Sequence, residues 1–286
     1  MICGECGSEL LWYCSNCWGG DDSLAVVWAI DGNWLVRMFY HADEQSAEQN
    51  LQEWCQSIVG RFNPAHVVCG FDSEWNWRKF AHPEYKANRK PHEPALERLI
   101  EITGTSMLKL GWRVVRLPGF EADDVMASVA AQNPHRTVIV SGDNDMLSCL
   151  RQGVVSLYRK RRDGWSFVTA NQAEQSLGFD LSLYRDYKCL VGDSSDNLKG
   201  CEKIGAVTAQ KMLQDRSLDE IMENITQYKH TEQLREFSHR LPMLRTLMKP
   251  VTTLPILGGY NGECEHRDPD RQSDERSSDE EHTVRD

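Results

Sequence analysis

The sequence predicts an α/β fold in which a mainly parallel central sheet is flanked by helices. Short apolar runs rich in β-branched residues occupy 24–30, 67–71 and 137–141, which is typical of buried strands. Stretches with helical periodicity, such as 47–59 and 123–132, lie between them. Strands that alternate with helices pair in parallel, because a crossover helix returns the chain to the same edge of the sheet.

An aspartate follows each of the three predicted strands. Asp31 comes directly after the first run, Asp72 directly after the second, and Asp143 one glycine after the third. In open α/β sheets the ligand crevice lies beyond the carboxyl ends of the strands. We therefore expect three strands to deliver carboxylates to one crevice.

Further acidic residues accompany these three. They are Glu121, Asp123 and Asp124 at a predicted helix start, Asp145, and the pair Asp193 and Asp196. Each one alone is typical of a solvated surface, but together they would repel one another unless hydrogen-bonded, protonated or bound to metal. Mg²⁺ or Mn²⁺ suits oxygen ligands, and about eight carboxylates are too many for one ion. Two ions that clamp the attacking and leaving oxygens indicate phosphoryl-transfer chemistry.

The ends of the chain differ from its body. Two C-x-x-C pairs in residues 1–20 predict one zinc site of four cysteines, namely Cys3, Cys6, Cys14 and Cys17. Residues 263–286 carry ten acidic and four basic residues and few apolar ones, which predicts a disordered acidic tail. The body divides into an α/β region at 21–180 and a helical region at 181–262, with a glycine-punctuated turn at 200–205.

The net charge of −11 would argue against a nucleic-acid partner, because phosphate binding needs Lys and Arg. The tail contributes about half of that charge, and the carboxylate set contributes much of the rest. No segment has the length of apolar sequence that a membrane span requires, and the first residues do not have the pattern of a signal peptide. We expect a cytoplasmic protein without a membrane partner; the sequence identifies no protein partner.

Five motifs resemble those of the 5′–3′ exonuclease and flap-endonuclease family, in its stand-alone bacterial or phage form. They are Asp31-Gly-Asn with Arg37, Tyr85-Lys-Ala-Asn-Arg89, Gly119-Phe-Glu-Ala-Asp-Asp124, Ser141-Gly-Asp-Asn-Asp145 and Val191-Gly-Asp-Ser-Ser-Asp-Asn197. The motifs occur in the family's order, and the resemblance extends from about Leu24 to Leu213. It implies a PIN-like 5′-nuclease fold with a helical arch over the active site and a helix-hairpin-helix-like region after it.

The resemblance also implies roles for individual residues. The first metal site would comprise Asp31, Asp72, Glu121 and Asp123, and the second Asp123, Asp143, Asp145, Asp193 and Asp196, with Asp124 supporting these ligands. Lys86 and Arg89 would act on the scissile phosphate, and Tyr85 would stack on a base. DNA contacts would come from Lys79, Lys90, Gly200, Lys203, Gly205 and Thr208. The hairpin at 200–205 would also hold K⁺, although Lys203 replaces a family glycine there and Val207 a common lysine.

The sequence therefore predicts a structure-specific 5′-nuclease that cuts DNA at a 5′ end, flap or nick in replication or repair, or acts on an RNA–DNA hybrid. Two alternatives stay open. A PIN-type ribonuclease shares the acidic crevice but has neither the 85–89 arch nor the 200–205 hairpin. A catalytically inactive DNA-binding protein would have ligands missing from one metal site, and every expected acidic residue is present.

Overall fold

The computed structural model of the chain describes residues 26–133, 136–214 and 216–256. Strands β1 to β8 are Val27–Asp31, His66–Gly70, Arg113–Val115, Thr137–Val140, Val155–Arg161, Gly164–Val168, Gly192–Asp193 and Leu198–Lys199. Helices α1 to α11 are Gly32–Ala42, Ala47–Phe62, Trp77–Ala81, Pro94–Lys109, Ala122–Gln132, Ala170–Leu177, Tyr184–Val191, Ala206–Leu213, Leu218–Glu223, Thr231–Ser238 and Leu241–Leu247. Short 3₁₀ turns occupy Asn144–Cys149, Leu181–Leu183 and Ile225–Gln227.

Six strands form the central sheet in the order β3-β2-β1-β4-β5-β6. All neighbours pair in parallel except β5 and β6, which form an antiparallel hairpin at one edge. The predicted mainly parallel sheet is thus confirmed. The chain passes from β1 outward to β2 and β3 and then returns to β4 on the other side of β1. This reversal places a crevice beside the carboxyl end of β1.

Both faces of the sheet are buried, because successive residues of each central strand point to opposite sides. On one face, Ala29, Val68 and Ile139 pack with helix α5 and with the C-terminal helices. On the other face, Trp28 and Ile30 pack with residues of α1, α2 and α4. An apolar residue is therefore required at nearly every position of β1, which explains the uninterrupted apolar run in the sequence.

Helix α5 begins at the crevice and is capped by its own acidic residues. The Glu121 side chain accepts from the N3 backbone N–H, and the Asp124 side chain accepts from the Glu121 backbone N–H in return. This capping box satisfies two of the N–H groups that a helix start leaves without intrahelical partners. It also fixes the direction in which Asp123, the second residue of the helix, leaves the backbone.

Two local expectations need correction. Residues 85–89, expected to belong to a helical arch, lie in a segment of turns and irregular backbone, 82–93, between α3 and α4. The turn at 200–205, predicted to join two helices, instead follows the small β7–β8 hairpin, which separates it from α7, and leads into α8. Gly192 has a φ of 83°, and a Cβ there would lie 2.4 Å from the Gly200 nitrogen. The two glycines thus allow the hairpin strands to approach closely.

Among the described residues, no helix has the length and apolar character needed to cross a bilayer.

Candidate active site

The carboxyl ends of β1, β2 and β4 bring the predicted aspartates to one edge of the sheet. Asp31 is the last residue of β1, while Asp72 and Asp143 follow β2 and β4 by two and three residues. Glu121 and Asp123 come from the start of α5. A narrow cleft at this edge is lined by Glu121, Asp123, Asp145, Asp193 and Asp196 together with Tyr85 and Arg78.

Asp31 lies at the buried base of this crevice. Its Oδ1 accepts from the Trp34 backbone N–H at 2.9 Å, and its Oδ2 accepts from the Ser141 hydroxyl at 3.1 Å. Burial, and next the negative charge of Asp72, raise the pKa of Asp31 to about 7, because both disfavour a carboxylate. Asp72 accepts from the Ala122 backbone N–H at 2.9 Å, so it is connected directly to the start of α5.

Asp123 is the acid most strongly affected by its neighbours. Burial raises its pKa well above the ordinary value, and Asp143, Asp31 and Glu121 raise it further. Asp143 accepts from the Asp145 backbone N–H at 2.8 Å. Repulsion between these carboxylates indicates a centre that would be stabilised by cations.

Lys86 and Arg89 reach the crevice from the 82–93 segment. The Lys86 ammonium donates to Glu121 and lies 4.0 Å from Asp196, and Arg89 pairs with Asp196 at 2.7 Å. Burial would raise the pKa of Glu121, but the charge and hydrogen bond of Lys86, together with Arg78 and Tyr85, outweigh burial and lower that pKa.

The burial of Tyr85 contradicts the base-stacking role that was expected of it. Its side chain is only 3% exposed, and its hydroxyl hydrogen-bonds to Glu121 at 2.9 Å and Asp196 at 3.1 Å. A buried tyrosine usually finds a partner for its hydroxyl. Tyr85 therefore joins two of the crevice carboxylates and offers no free ring face to a base.

Lys188 of α7 is a residue of the site that could not be identified from the sequence. Its ammonium lies 2.7 Å from Asp145 and 2.5 Å from Asp193 and so bridges the two carboxylates. Burial would raise the pKa of Asp193, yet its hydrogen bonds from Lys188 and Ser195 lower that pKa to about 2. For Asp145, burial together with the charge of Asp143 raises the pKa to about 6 in spite of Lys188.

Arg78 of α3 is a second residue that the sequence analysis missed. Its guanidinium donates to both oxygens of Asp124 at 2.7 Å, to Glu121 at 3.2 Å, and to the carbonyls of Leu247 and Lys249 at 2.8 and 3.0 Å. All five N–H groups of the guanidinium are thereby used. Asp124 also accepts from the Val251 backbone N–H at 2.8 Å, so Arg78 and the backbone occupy both its oxygens.

Within the described ranges, no group of three or more Asp, Glu, His or Cys side chains is arranged as a metal site. Lys86 and Lys188 lie among the acids and pair with four of them, so two positive charges offset four negative ones only in part. The donors nevertheless fit hard divalent cations, because they are carboxylate oxygens. Moreover, Asp31, Asp123 and Asp145 keep raised pKa values in spite of the two ammonium groups.

The expected DNA-contacting residues lie outside this cleft. Lys79 and Lys90 are exposed, Thr208 is half-buried in α8, and the Lys203 side chain is 62% exposed. Lys203 has a φ of 64°, so it has the left-handed conformation that suits the glycine of related sequences. Gly205 has a φ of −90° and is the N-cap residue of α8. The four zinc-ligand cysteines predicted in residues 1–20 lie outside the described residues.

Two protein-family models match the chain, and together they cover nearly all of the described residues. The family model "5'-3' exonuclease, N-terminal resolvase-like domain" matches residues 26–178. The model "5'-3' exonuclease, C-terminal SAM fold" matches residues 180–272. The chain belongs to the 5′–3′ exonuclease family. The mainly parallel sheet and the helical region after it are the family's fold.

Named relatives agree with this membership. The chain is 27% identical over 244 residues to flap endonuclease Xni of Shewanella woodyi, covering 79% of this chain and 93% of that protein. It is 35% identical over 168 residues to DNA polymerase I of Mycobacterium tuberculosis, covering 57% of this chain. The matched region makes up 19% of that polymerase.

A solved relative has the same fold. The bacteriophage T5 flap endonuclease, crystallised with DNA and metal ions, superposes with a TM-score of 0.65 at 18% identity. The match covers 81% of this chain and 90% of that one.

Proposed function

We propose that the chain is a divalent-metal-dependent 5′-nuclease that hydrolyses DNA phosphodiesters at a 5′ end, flap or nick. The observation that carries this proposal is the crevice at the strand ends. There Asp31 is buried and Asp123 and Asp145 are half-buried, and loss of solvation together with neighbouring carboxylates raises the pKa of each. Acids held this close repel one another, and bound cations would relieve that repulsion.

The chain would hold two Mg²⁺ or Mn²⁺ ions with the carboxylates of the crevice. The first ion falls to Asp31, Asp72, Glu121 and Asp123, and the second to Asp123, Asp143, Asp145, Asp193 and Asp196. When bound, such ions supply Lewis-acid activation of water and neutralise charge that develops on the scissile phosphate. Asp124 has no free oxygen for an ion and supports Glu121 through their shared partner Arg78.

Lys86 and Arg89 are the chain's own candidates for contact with the scissile phosphate. Both side chains already pair with carboxylates at the crevice edge. An arriving phosphate would therefore compete with those carboxylates for two basic side chains that are already in position. A donor directed at charge that develops in the transition state lowers the barrier to the chemical step. Hydrolysis would leave the 5′-phosphate on the downstream product.

Several finer assignments belong to the same proposal. Residues 21–180 form the catalytic region and 181–262 the DNA-binding region, in which the 200–205 hairpin contacts the duplex backbone and holds K⁺. Residues 1–20 hold one structural Zn²⁺, and 263–286 form an acidic tail. The protein acts in the cytoplasm, in DNA replication or repair, on DNA or on RNA–DNA hybrids.

The purified protein should be tested with Mg²⁺ on a 5′-flap, a nicked duplex, an RNA–DNA hybrid and single-stranded RNA. We expect cutting of the flap that EDTA abolishes. Asp143→Asn with Asp145→Asn should abolish cutting and leave flap binding within about tenfold, since phosphate contacts elsewhere supply most of the affinity. Asp163→Asn, which changes an exposed acid on the β5–β6 turn, is the matched control and should cut normally.

Three results would contradict the proposal. Preferential cutting of single-stranded RNA would favour a PIN-type ribonuclease. Tight flap binding without cutting in any metal would favour an inactive DNA-binding protein. Substantial cutting by the double variant would show that these carboxylates do not hold the ions.

A further inference from the structure

A groove beside the candidate active site has a charge opposite to that of the chain as a whole. It has a volume of about 720 Å³ and lies between the β5–β6 hairpin and helices α6 and α7. Arg159, Arg161 and Lys188 line it, and none of the described residues in its lining is acidic. Lys188 is already paired with Asp145 and Asp193. In a chain with a net charge of −11, the attraction of this groove for anions therefore rests on Arg159 and Arg161.

The alternation of β5 directs two of its basic residues into this groove. Arg159 and Arg161 point to the same side as buried Leu157, while Lys160 points to the opposite side, because side chains alternate along a strand. In the hairpin register Arg159 lies opposite Ser166. The Ser166 hydroxyl lines the groove and is buried without a hydrogen-bond partner among the described residues. An unpartnered buried hydroxyl is costly, and a ligand oxygen in the groove would satisfy it.

Hydrogen bonds connect the wall of the groove to the loop that carries Asp143 and Asp145. Arg159 donates to the Asn144 side chain at 2.9 Å and to the Gly142 carbonyl. Lys188 contacts Asp145 from the other wall. An anion in the groove would therefore lie next to the carboxylates of the candidate active site. Arg159 and Lys188 border both the groove and the loop that carries these carboxylates.

We propose that this groove binds the sugar–phosphate backbone of one single DNA strand where it runs past the active site. The inference rests on the proposed nuclease function and adds a strand-binding site to it. The groove has the size of a small-molecule pocket, which admits a few nucleotides of one strand but no duplex. Tyr187 lines the same groove, and aromatic side chains next to cationic ones are typical of single-strand sites.

The test compares Arg161→Gln with Lys160→Gln. The two residues are adjacent, exposed and equally charged, but only Arg161 lines the groove. Binding of a fluorescent oligothymidylate is measured by anisotropy in EDTA, over a range of salt concentrations. Loss of one exposed phosphate contact should weaken binding about fivefold and reduce the salt slope by about 0.7. We expect this loss for Arg161→Gln, and unchanged binding for Lys160→Gln.

Equal losses in both variants would overturn the proposal, because the effect would then come from the overall charge of the hairpin. Unchanged binding by Arg161→Gln would also overturn it, as would competition by polyglutamate as effective as that by unlabelled oligothymidylate. Equal melting temperatures for the two variants exclude a folding defect as the cause.

Flap cutting by the unmodified protein with Mg²⁺, measured in parallel, separates the two proposals. If it cuts while Arg161→Gln binds normally, the groove proposal alone fails. If it cuts no substrate while the two variants bind as expected, the nuclease proposal alone fails and the strand site stands.

Discussion

Replacing Arg78 by methionine should destabilise the protein strongly, because Arg78 compensates buried negative charge beside the candidate active site. Arg78 is 4% exposed, and Asp124, which it neutralises with two hydrogen bonds, is fully buried. Methionine fills much of the same volume without charge. The variant would leave a buried carboxylate with no cation and two backbone carbonyls without their donor.

The size of the effect follows from the burial of both partners. Removal of one partner from a buried ion pair costs about 3–5 kcal/mol. For a domain of this size, ~1 kcal/mol lowers the melting temperature by about 2–4 °C, so a fall of about 10 °C is expected. The control is Arg116→Met, which breaks the Arg116–Glu101 pair, whose side chains are 41% and 69% exposed. An exposed pair contributes at most ~1 kcal/mol, and the expected fall is about 3 °C or less.

Calorimetry of both variants in EDTA tests this reasoning without interference from metal ions. A second variant, Arg78→Met with Asp124→Leu, removes the buried carboxylate as well. It should recover part of the lost stability, because an apolar pair in place of a buried ion pair is often tolerated. A melting temperature for Arg78→Met within about 3 °C of the unmodified protein would refute the argument that this guanidinium offsets buried charge.

Three further predictions concern chemistry, metal binding and the amino-terminal segment. Lys86→Ala should slow single-turnover flap cutting by about 10²–10³ with little change in binding. Lys203→Ala should instead weaken binding and reduce the salt slope by about one. Equal effects of the two variants on binding alone would contradict the separate roles of these lysines. The folded pKa values of Asp31 and Asp145, about 7 and 6, lie above their ordinary 3.8, so metal-free stability should fall as pH rises through 6–7. Mg²⁺ should then raise the melting temperature more at pH 8 than at pH 5.5, and an equal gain at both would count against these groups as ligands. Metal analysis should find one zinc per chain in residues 1–20; no zinc, with four titratable thiols there, would exclude the site.

The central strands could be predicted because their sequence signal is local. Strands β1, β2 and β4 are buried on both faces, so each is a short apolar run. The edge strands could not be predicted in this way. Strand β3 has only three residues, and four of the five residues of β6 are half-buried. An edge strand is only partly covered, so its apolar pattern is weak.

The acids of the candidate site could be predicted because they follow strands, but their partners could not. Arg78 meets Asp124, 46 positions away, and Lys188 meets Asp145, 43 positions away. Nothing local distinguishes Arg78 from its exposed neighbour Lys79. Tyr85 stands among exposed basic residues in the sequence, yet its hydroxyl is turned inward by Glu121 and Asp196. Only the folded chain brings these groups together.

The hydrogen bonds around the start of α5 have a consequence for how the protein forms during synthesis. Asp124 accepts from Val251, Arg78 donates to the carbonyls of Leu247 and Lys249, and the Ser128 hydroxyl bonds the same late segment. Translation proceeds from the amino terminus, and early regions fold first. A ribosome-bound chain that has not yet released residues 247–251 can therefore assemble the sheet but lacks the partners that hold this acidic helix start. The nascent protein would complete its candidate active site only after nearly the whole described region has emerged.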